Sequence, residues 1–258
     1  MDGKHNVDFV RNRACKGLRL DKNKQLQYYK RMYSQAVYDK YTTTDTNQIV
    51  SQQEIRLLKI LFKVLFKETK YSQRQMLNIP SGNGRLHSLF KKFFRRIDCV
   101  DACEGAISKV LEQKSLPDFR KCIGLCKVDW LQDFKFTFKT KYDLIWCNYG
   151  FSFLEDSDAR KFLQRASDNL KEDGYLIIKE VLLDGGQAEN LRIKDQDRLL
   201  RNLKQYKLLF RKFYNVMDHL FQPSSEELST SFRPEIIFVL QKQHPLILKF
   251  MDNQQEDM

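Results

Sequence analysis

The sequence predicts an α/β fold: a seven-stranded, mostly parallel sheet with helices on both faces and an antiparallel last strand. Three observations indicate this. Short apolar runs typical of strands alternate with longer segments that have helical periodicity. The strand-like runs are apolar almost throughout, as in strands that are buried on both faces. The last two runs have only a loop between them, which favours an antiparallel pair.

The predicted elements follow in order along the chain. A helix with an aromatic face is predicted from Gln25 to Tyr41. A second helix is predicted to start at Ser51, because Glu54 stands at the spacing of a capping box. The predicted strands cover residues 75–79, 97–101, 122–128, 143–149, 175–182, 214–221 and 235–241. Further helices are predicted for residues 86–94, 104–113, 157–170 and 195–213.

The length of 258 residues and the hydrophobic content of 42% fit one large domain with an extension. We expect a basic flexible arm and helical N-terminal extension at 1–50, the main domain at 51–245 and a polar tail at 246–258. No window approaches the ~20 apolar residues of a membrane helix, and the N-terminus has no apolar signal core. We therefore expect no membrane association.

The six cysteines are scattered along the chain, and most of them stand in apolar runs. This pattern suits reduced thiols, and we expect a cytoplasmic or nuclear protein. The pairs Cys99/Cys103 and Cys122/Cys126 have three-residue spacers and no histidine close in sequence. Zinc sites favour shorter spacers with histidines, so no metal site is predicted.

The net charge is +12, and the excess is concentrated in two segments. Residues 1–40 hold ten Lys/Arg against four Asp/Glu, and residues 56–96 hold eleven against one. Such a field attracts polyanions or an acidic protein partner. The alternative is a solvated helix face.

Residues 75–85, QMLNIPSGNGR, are an apolar run that leads into a loop with Gly82 and Gly84. Strand, glycine loop and helix in this order present backbone N–H groups to a nucleotide-like ligand. Glycine permits positive φ and close approach of the ligand. The next strand ends on Asp101, where an acid receives ribose hydroxyls in such folds. The alternative is a tight turn between core elements.

The order of elements and several motifs resemble the Rossmann-like class I S-adenosylmethionine-dependent methyltransferases. More narrowly, the chain resembles the protein α-N-terminal methyltransferases over residues 28–240. The motifs that carry the resemblance are IDCVD at 97–101, WLQDF at 130–134, YDLIW at 142–146, LKEDG at 170–174 and IIKE at 177–180. The resemblance implies S-adenosylmethionine as cofactor and a protein N-terminus as substrate.

The resemblance also implies a role for individual residues. Gly82, Gly84 and Arg85 would lie along the methionine end and carboxylate of the cofactor, and Arg85 would pair with that carboxylate. Asp101 would hold the ribose hydroxyls. The remaining implied positions are Leu131 and Gln132 beside the adenine, Asn148 beside the sulfonium and the entering amine, and Asp195 and Asp197 as loosely aligned acids that help take the amine proton.

The chain departs from the family pattern at five positions. Asn78 and Pro80 replace an acid and a glycine at the start of the loop, and Pro80 lacks a backbone N–H. Trp130 replaces a glycine and could fill the adenine pocket. Phe153 stands where the family has a histidine, and Val181 stands where it has an asparagine.

These departures leave three hypotheses for function. The first is an active methyltransferase acting on a protein N-terminus or another amine. The second is a methyltransferase fold that has lost catalysis and serves as a scaffold or binding subunit of a larger complex, with nucleic acid as one candidate partner of that complex. The third, a nucleic-acid methyltransferase, lacks the Asn/Asp-Pro-Pro-aromatic motif near 143–149.

Overall fold

The computed structural model describes residues 21–32, 45–67, 70–138, 140–183, 191–193, 197–222 and 234–243. The predicted arm before residue 21, the predicted tail and Asp195 lie outside the described residues. The division into segments at residues 50 and 245 stays a prediction, although the residue 50 boundary falls inside a helix of the structure.

The elements alternate between strand and helix along most of the chain. Helices α1 and α2 come first, and the strands of the main sheet then alternate with short and long helices. The bounds are α1 Lys22–Met32, α2 Asp45–Leu65, β1 Gln75–Asn78, α3 His87–Phe90, β2 Arg96–Asp101, α4 Glu104–Ser115, α5 Pro117–Arg120, β3 Ile123–Val128, β4 Tyr142–Asn148, α6 Asp156–Asn169, β5 Leu170–Val181, β6 Leu191–Ile193, β7 Arg198–Leu200, α7 Leu203–Phe210, β8 Tyr214–Gln222 and β9 Glu235–Lys242.

Seven strands form one sheet in the order β3-β2-β1-β4-β5-β9-β8. The neighbours from β3 to β5 are all parallel. The last strand, β9, is antiparallel to both β5 and β8. The predicted fold class is therefore confirmed, including the antiparallel last strand.

The central strands β1, β2, β4, β5 and β9 are largely buried on both faces, which explains why they are mostly apolar in sequence. Successive side chains point to opposite faces. Leu77 and Ile178 belong to the apolar layer shared with α6 and α7. Met76 and Ile177 belong to the opposite layer, where they pack with Leu58 and Phe62 of α2, with Phe66 just after that helix, and with Phe90 of α3. Helix α2 is thereby fixed against the sheet.

Several predicted helices differ from the structure. Helix α1 begins at Lys22, three residues before Gln25, and residues 33–41 of that predicted helix lie outside the described residues. Helix α2 begins at Asp45, six residues before Ser51. The pattern at 86–94 gives a single helical turn, His87–Phe90. The predicted helix 195–213 is wrong in its first part, because β6 and β7 form an antiparallel pair there.

The cause of that last difference lies at Asp197 and Asn202. Asp197 has a φ of 51°, in the left-handed region, which a right-handed helix cannot contain. The helix starts afresh at Leu203, where Asn202 and Gln205 form a capping box with both reciprocal hydrogen bonds. The spacing Asn-x-x-Gln was present in the sequence and marks the true start of α7.

Candidate cofactor and acceptor site

The carboxyl ends of the parallel strands meet at one edge of the sheet, and the predicted site residues follow those ends. Asn78 ends β1, Asp101 ends β2 and Asn148 ends β4. β1 lies between β2 and β4, so these three residues belong to neighbouring strands. Ligands of open parallel sheets bind outside this edge.

The glycine loop after β1 is held against the end of β2. The N–H of Ser81 donates to the Val100 carbonyl at 2.8 Å, and the N–H of Gly84 donates to the Ser81 carbonyl at 3.4 Å. Gly82 and Gly84 have φ angles of 55° and 79°, which favour glycine. The N–H groups of these loop residues are therefore bonded within the chain, whereas the sequence led us to expect them to face a ligand.

The Asp101 carboxylate is buried, with only 1% of the residue exposed. Its Oδ2 accepts the Gly82 N–H at 2.9 Å, and its Oδ1 accepts the Cys103 N–H at 2.8 Å. Burial raises the pKa of Asp101 to about 6, and the two backbone N–H groups oppose the rise. A carboxylate has about four acceptor sites, so two remain for hydroxyl groups.

A cleft opens beside Asp101. Its lining includes Pro80, Trp130, Leu131, Gln132 and Phe153. The cleft has a volume of about 310 Å³ when its open mouth is included, but the centre of a water molecule can occupy only about 10 Å³ of it. It is therefore a narrow slot with an acid at one side, and a purine would require Trp130 or Phe153 to swing aside.

Asn148 supplies an unused acceptor near this slot. Its Oδ1 is buried and has no hydrogen-bond partner among the described residues. Gly150, two residues further on, lines the slot, and a Cβ at Gly150 would lie 2.7 Å from the Pro80 ring. A buried polar atom without a partner is uncommon in folded proteins and calls for an explanation. The Oε2 atom of Glu180 is buried and unpartnered in the same way within the described segments, so the position of Asn148 at the end of β4 is what makes a ligand the explanation considered for its Oδ1.

Phe153 and Val181, which stand where the resembled family has a histidine and an asparagine, lie in different surroundings. Phe153 is on the slot, and the Arg198 guanidinium lies 5.1 Å from the centre of its ring. Val181 packs instead against the apolar cluster of Leu183, Leu191 and Leu200. Only the first position could present a base to a ligand in the slot.

Asp197, a predicted catalytic acid, makes hydrogen bonds to two other parts of the chain. Its Oδ1 accepts from Nε of Arg192 at 2.9 Å, and its Oδ2 accepts from the backbone N–H of Asp21. The buried Gln25 of α1 donates to the carbonyls of Phe153 and Asp197. Because both oxygens are bonded within the chain, Asp197 holds Arg192 and Asp21 in place, and its role as a proton acceptor stays a prediction.

Arg85 is engaged with a residue that the sequence reasoning treated only as a helix cap. Its Nη2 donates to Oε2 of Glu54 at 2.7 Å, and Lys179 donates to the other oxygen at 2.9 Å. Lys179 also pairs with Glu235 at 3.0 Å, and Glu235 accepts the Tyr149 hydroxyl. We call Arg85, Glu54, Lys179, Glu235 and Tyr149 the charge network. No local sequence signal predicted it, because its members are far apart in the chain.

Glu180 holds the turn after β4. Its Oε1 accepts the N–H groups of Phe151 at 2.6 Å and Ser152 at 3.2 Å. Burial raises the pKa of Glu180, and Arg198 and Arg201 act against the rise. Glu180 therefore positions the segment that carries Phe153.

The described residues also bear on metal binding and membrane insertion. Within the described ranges, no group of three His, Cys, Asp or Glu side chains could hold a metal ion. No helix in that part of the chain is long and apolar enough to cross a membrane.

Comparison with known proteins identifies relatives of the chain. A family model described as AdoMet dependent proline di-methyltransferase matches residues 22–226. N-terminal Xaa-Pro-Lys N-methyltransferase 1-B of Xenopus laevis is 26% identical over 154 residues, which cover 57% of this chain and 68% of the relative. Alpha N-terminal protein methyltransferase 1 of Arabidopsis thaliana is 27% identical over 139 residues, which cover 53% of this chain and 49% of the relative. The chain thus spans about half the length of this plant relative.

Solved structures share the fold. A SAM-dependent methyltransferase of Leishmania major superposes with a TM-score of 0.60 at 20% identity, covering 83% of each chain. A Burkholderia thailandensis 1,6-didemethyltoxoflavin-N1-methyltransferase, solved with S-adenosylhomocysteine, superposes with a TM-score of 0.67 at 15% identity. That match covers 93% of this chain and 99% of the other. At such identities the superpositions show the fold alone.

Proposed function

We propose that this chain, which belongs to the AdoMet-dependent proline di-methyltransferase family, methylates the α-amine at the N-terminus of a protein. The family match makes the chain an S-adenosylmethionine-dependent N-methyltransferase. The Xenopus relative is named for N-termini of the type Xaa-Pro-Lys, and the plant relative for protein N-termini in general. An N-terminus with proline at position two is therefore the acceptor that we propose.

The observation that carries the proposal is the buried Asn148 Oδ1, which has no partner among the described residues. An amide oxygen at the carboxyl end of β4 can accept an N–H from an entering amine. That bond would orient the nitrogen lone pair, and it would satisfy an atom whose burial without a partner costs about 1–3 kcal/mol.

The residues around the slot fit an S-adenosyl group in chemistry. Asp101 has acceptor capacity left for two ribose hydroxyls. Leu131 and Gln132 line the slot and would border the adenine. Gly82 and Gly84 are not part of the slot lining, and their place along the methionine end follows from the family resemblance. When bound, S-adenosylmethionine supplies a methyl group on a sulfonium, which is open to attack by a neutral amine. Roles for these residues stay predictions.

Removal of the proton from the α-amine needs a base, and the slot residues described above do not supply an evident one. An α-amine has a pKa of about 7.7–8.0, so a substantial part of it is neutral just above neutral pH. Phe153 cannot act as a base, and the Asp197 carboxylate is paired with Arg192. We propose that the amine loses its proton to solvent before it enters, and that Asn148 then holds the neutral form.

The pH profile of methylation tests this proposal. With a Xaa-Pro-Lys peptide, the rate should rise with pH up to the amine's own pKa of about 8 and then level off. Phe153→His should add a base on the slot, raising the rate below pH 7. A peptide with an acetylated N-terminus is the matched control and should accept no methyl group. Methylation of the acetylated peptide, or no methylation of the free one, would overturn the assigned acceptor.

We also propose that the basic face of α2 binds polyanions or an acidic partner, and that the protein is cytoplasmic or nuclear. Support for the first comes from the exposed positions of Lys59 and Lys63 on α2 and of Lys67 just after its end. Support for the second comes from the five cysteines of the described segments, which are all free thiols.

Reversal of Lys59, Lys63 and Lys67 to Glu tests the polyanion proposal and should weaken salt-dependent heparin retention. Reversal of Lys204, Lys207 and Arg211 on α7 is the matched control, and an equal effect would point to net charge alone.

A further inference from the structure

The guanidinium of Arg85 is paired with a carboxylate from another part of the chain. Glu54 lies 31 residues earlier, on α2, and its Oε2 accepts from Arg85 at 2.7 Å. The Glu54 side chain is only 3% exposed, whereas 38% of the Arg85 side chain is exposed. Helix α2 therefore carries a buried carboxylate to the segment that directly follows the glycine loop.

The same carboxylate also serves Lys179. Lys179 is 2% exposed and donates to Oε1 of Glu54 at 2.9 Å. Burial acts to raise the pKa of Glu54, but Lys179 and then Arg85 outweigh it and leave the pKa lowered. Glu54 is thus ionised at neutral pH. With Glu235, the charge network holds two cations and two carboxylates, and its net charge is zero.

The ion pair between Glu54 and Arg85 affects how strongly Arg85 can bind the carboxylate of a ligand. The family resemblance implies that Arg85 pairs with the carboxylate of S-adenosylmethionine, and this step rests on the proposed function, in which S-adenosylmethionine is the cofactor. We infer that Glu54 is a specificity-determining residue that competes with the carboxylate of the cofactor for Arg85. A second carboxylate at Arg85 would lie beside Glu54, and like charges at short range repel each other strongly in partly buried sites.

The consequence is a loss of discrimination among adenosine ligands. A ligand with an amino-acid chain gains little from Arg85 while Glu54 stays in place. A ligand without that chain loses nothing. Full use of Arg85 requires Glu54 to withdraw, and because Glu54 is part of α2, that withdrawal involves the helix. The position of α2 thereby sets the affinity for the amino-acid end of the cofactor.

Calorimetry with two ligands tests the inference. S-adenosylhomocysteine carries the carboxylate, whereas 5′-methylthioadenosine has the same adenosine and thioether without the amino-acid chain. Wild-type protein should bind the two within about threefold of each other. In Glu54→Gln, S-adenosylhomocysteine should bind about tenfold tighter or more, and 5′-methylthioadenosine should bind as before.

Glu235→Gln is the matched control. It removes a carboxylate from the same network, but Glu235 pairs with Lys179 and Tyr149, so the selective gain for S-adenosylhomocysteine should be absent. Arg85→Gln provides a measurement that does not depend on the folding of Glu54→Gln. It should change the affinity for S-adenosylhomocysteine by less than about threefold, because Arg85 is already engaged.

The possible outcomes distinguish a failure of the competition at Arg85 from a failure of the proposed cofactor site. A wild-type preference of about tenfold or more for S-adenosylhomocysteine, lost in Arg85→Gln, would overturn the competition and leave the cofactor site intact. An equal gain for both ligands in Glu54→Gln would also overturn it. Failure of the wild-type protein to bind 5′-methylthioadenosine would overturn the cofactor site itself, and the inference with it.

Discussion

Asp101 and Glu180 are two buried carboxylates with similar local chemistry and different positions. Asp101 ends β2 and Glu180 lies one residue before the end of β5, and each accepts two backbone N–H groups of a neighbouring loop. Burial raises the pKa of both. Asp101 lines the slot, whereas Glu180 faces Arg198, Arg201 and the buried Tyr206 in the layer between the sheet and α7. Position relative to the slot, and not acidity or burial, separates a candidate ligand-binding acid from a structural one.

The largest expected effect concerns Glu180. Glu180→Ala should lower the free energy of unfolding by about 3–5 kcal/mol, because two buried N–H groups lose their acceptor and Arg198 and Arg201 lose a nearby negative charge. Urea denaturation measures the loss. Glu180→Gln keeps an oxygen for the N–H groups, and its cost should be about 1–2 kcal/mol. If Glu180→Ala cost less than Asp101→Ala, the assignment of the two roles would be reversed.

The pH dependence of stability sharpens the comparison. The pKa of Asp101 is about 6 in the folded protein and 3.8 as the ordinary value. A raised folded pKa means that its contribution to stability is fully present below pH ~4 and is lost as pH rises to ~6, by about 3 kcal/mol in all. The difference in unfolding free energy between wild type and Asp101→Asn should follow this curve. A flat difference between pH 4 and 6 would contradict the raised pKa.

Substitution of Asp101 should weaken ligand binding, whereas substitution of Glu180 should not. Asp101→Ala should weaken 5′-methylthioadenosine binding by about 1–3 kcal/mol, since the ribose hydroxyls lose a charged acceptor. Wild-type affinity should also rise with pH through about 6, as the carboxylate ionises. Glu180→Gln, measured by the same calorimetry, is the control and should leave the affinity nearly unchanged. An unchanged dissociation constant in Asp101→Ala would remove its ribose role.

The smallest expected effect concerns the width of the slot. Trp130 lines the slot at a position where the family has glycine. Trp130→Gly should tighten 5′-methylthioadenosine binding by about 1 kcal/mol, the scale of one relieved overpacking contact. Trp146, buried in the opposite apolar layer, is not a suitable control because its loss would damage the core. Leu131→Ala widens the slot without removing the indole and should give a smaller change.

Only one of the two carboxylates, Asp101, could be assigned to the candidate site from the sequence. Asp101 was predicted as a site residue because it ends an apolar strand after a glycine loop, and that rule depends only on local order. The sequence offered no equal rule for Glu180, which stands after Lys179 in a strand of the same kind. Both acids look alike along the chain, and only the packing of α7 and the β6–β7 pair shows which one is enclosed.

The sequence by itself determined the sheet, its seven strands and the place of the glycine loop, because burial on both faces leaves a continuous apolar signal in each strand. It did not determine the partners of the charged side chains. Glu54 and Lys179 are 125 residues apart, and Asp21 and Asp197 are 176 residues apart. Such contacts carry no periodic signal, since either partner could be solvated instead. They exist because the tertiary fold brings α1 and α2 to the carboxyl edge of the sheet, where burial forces each charge to find a partner.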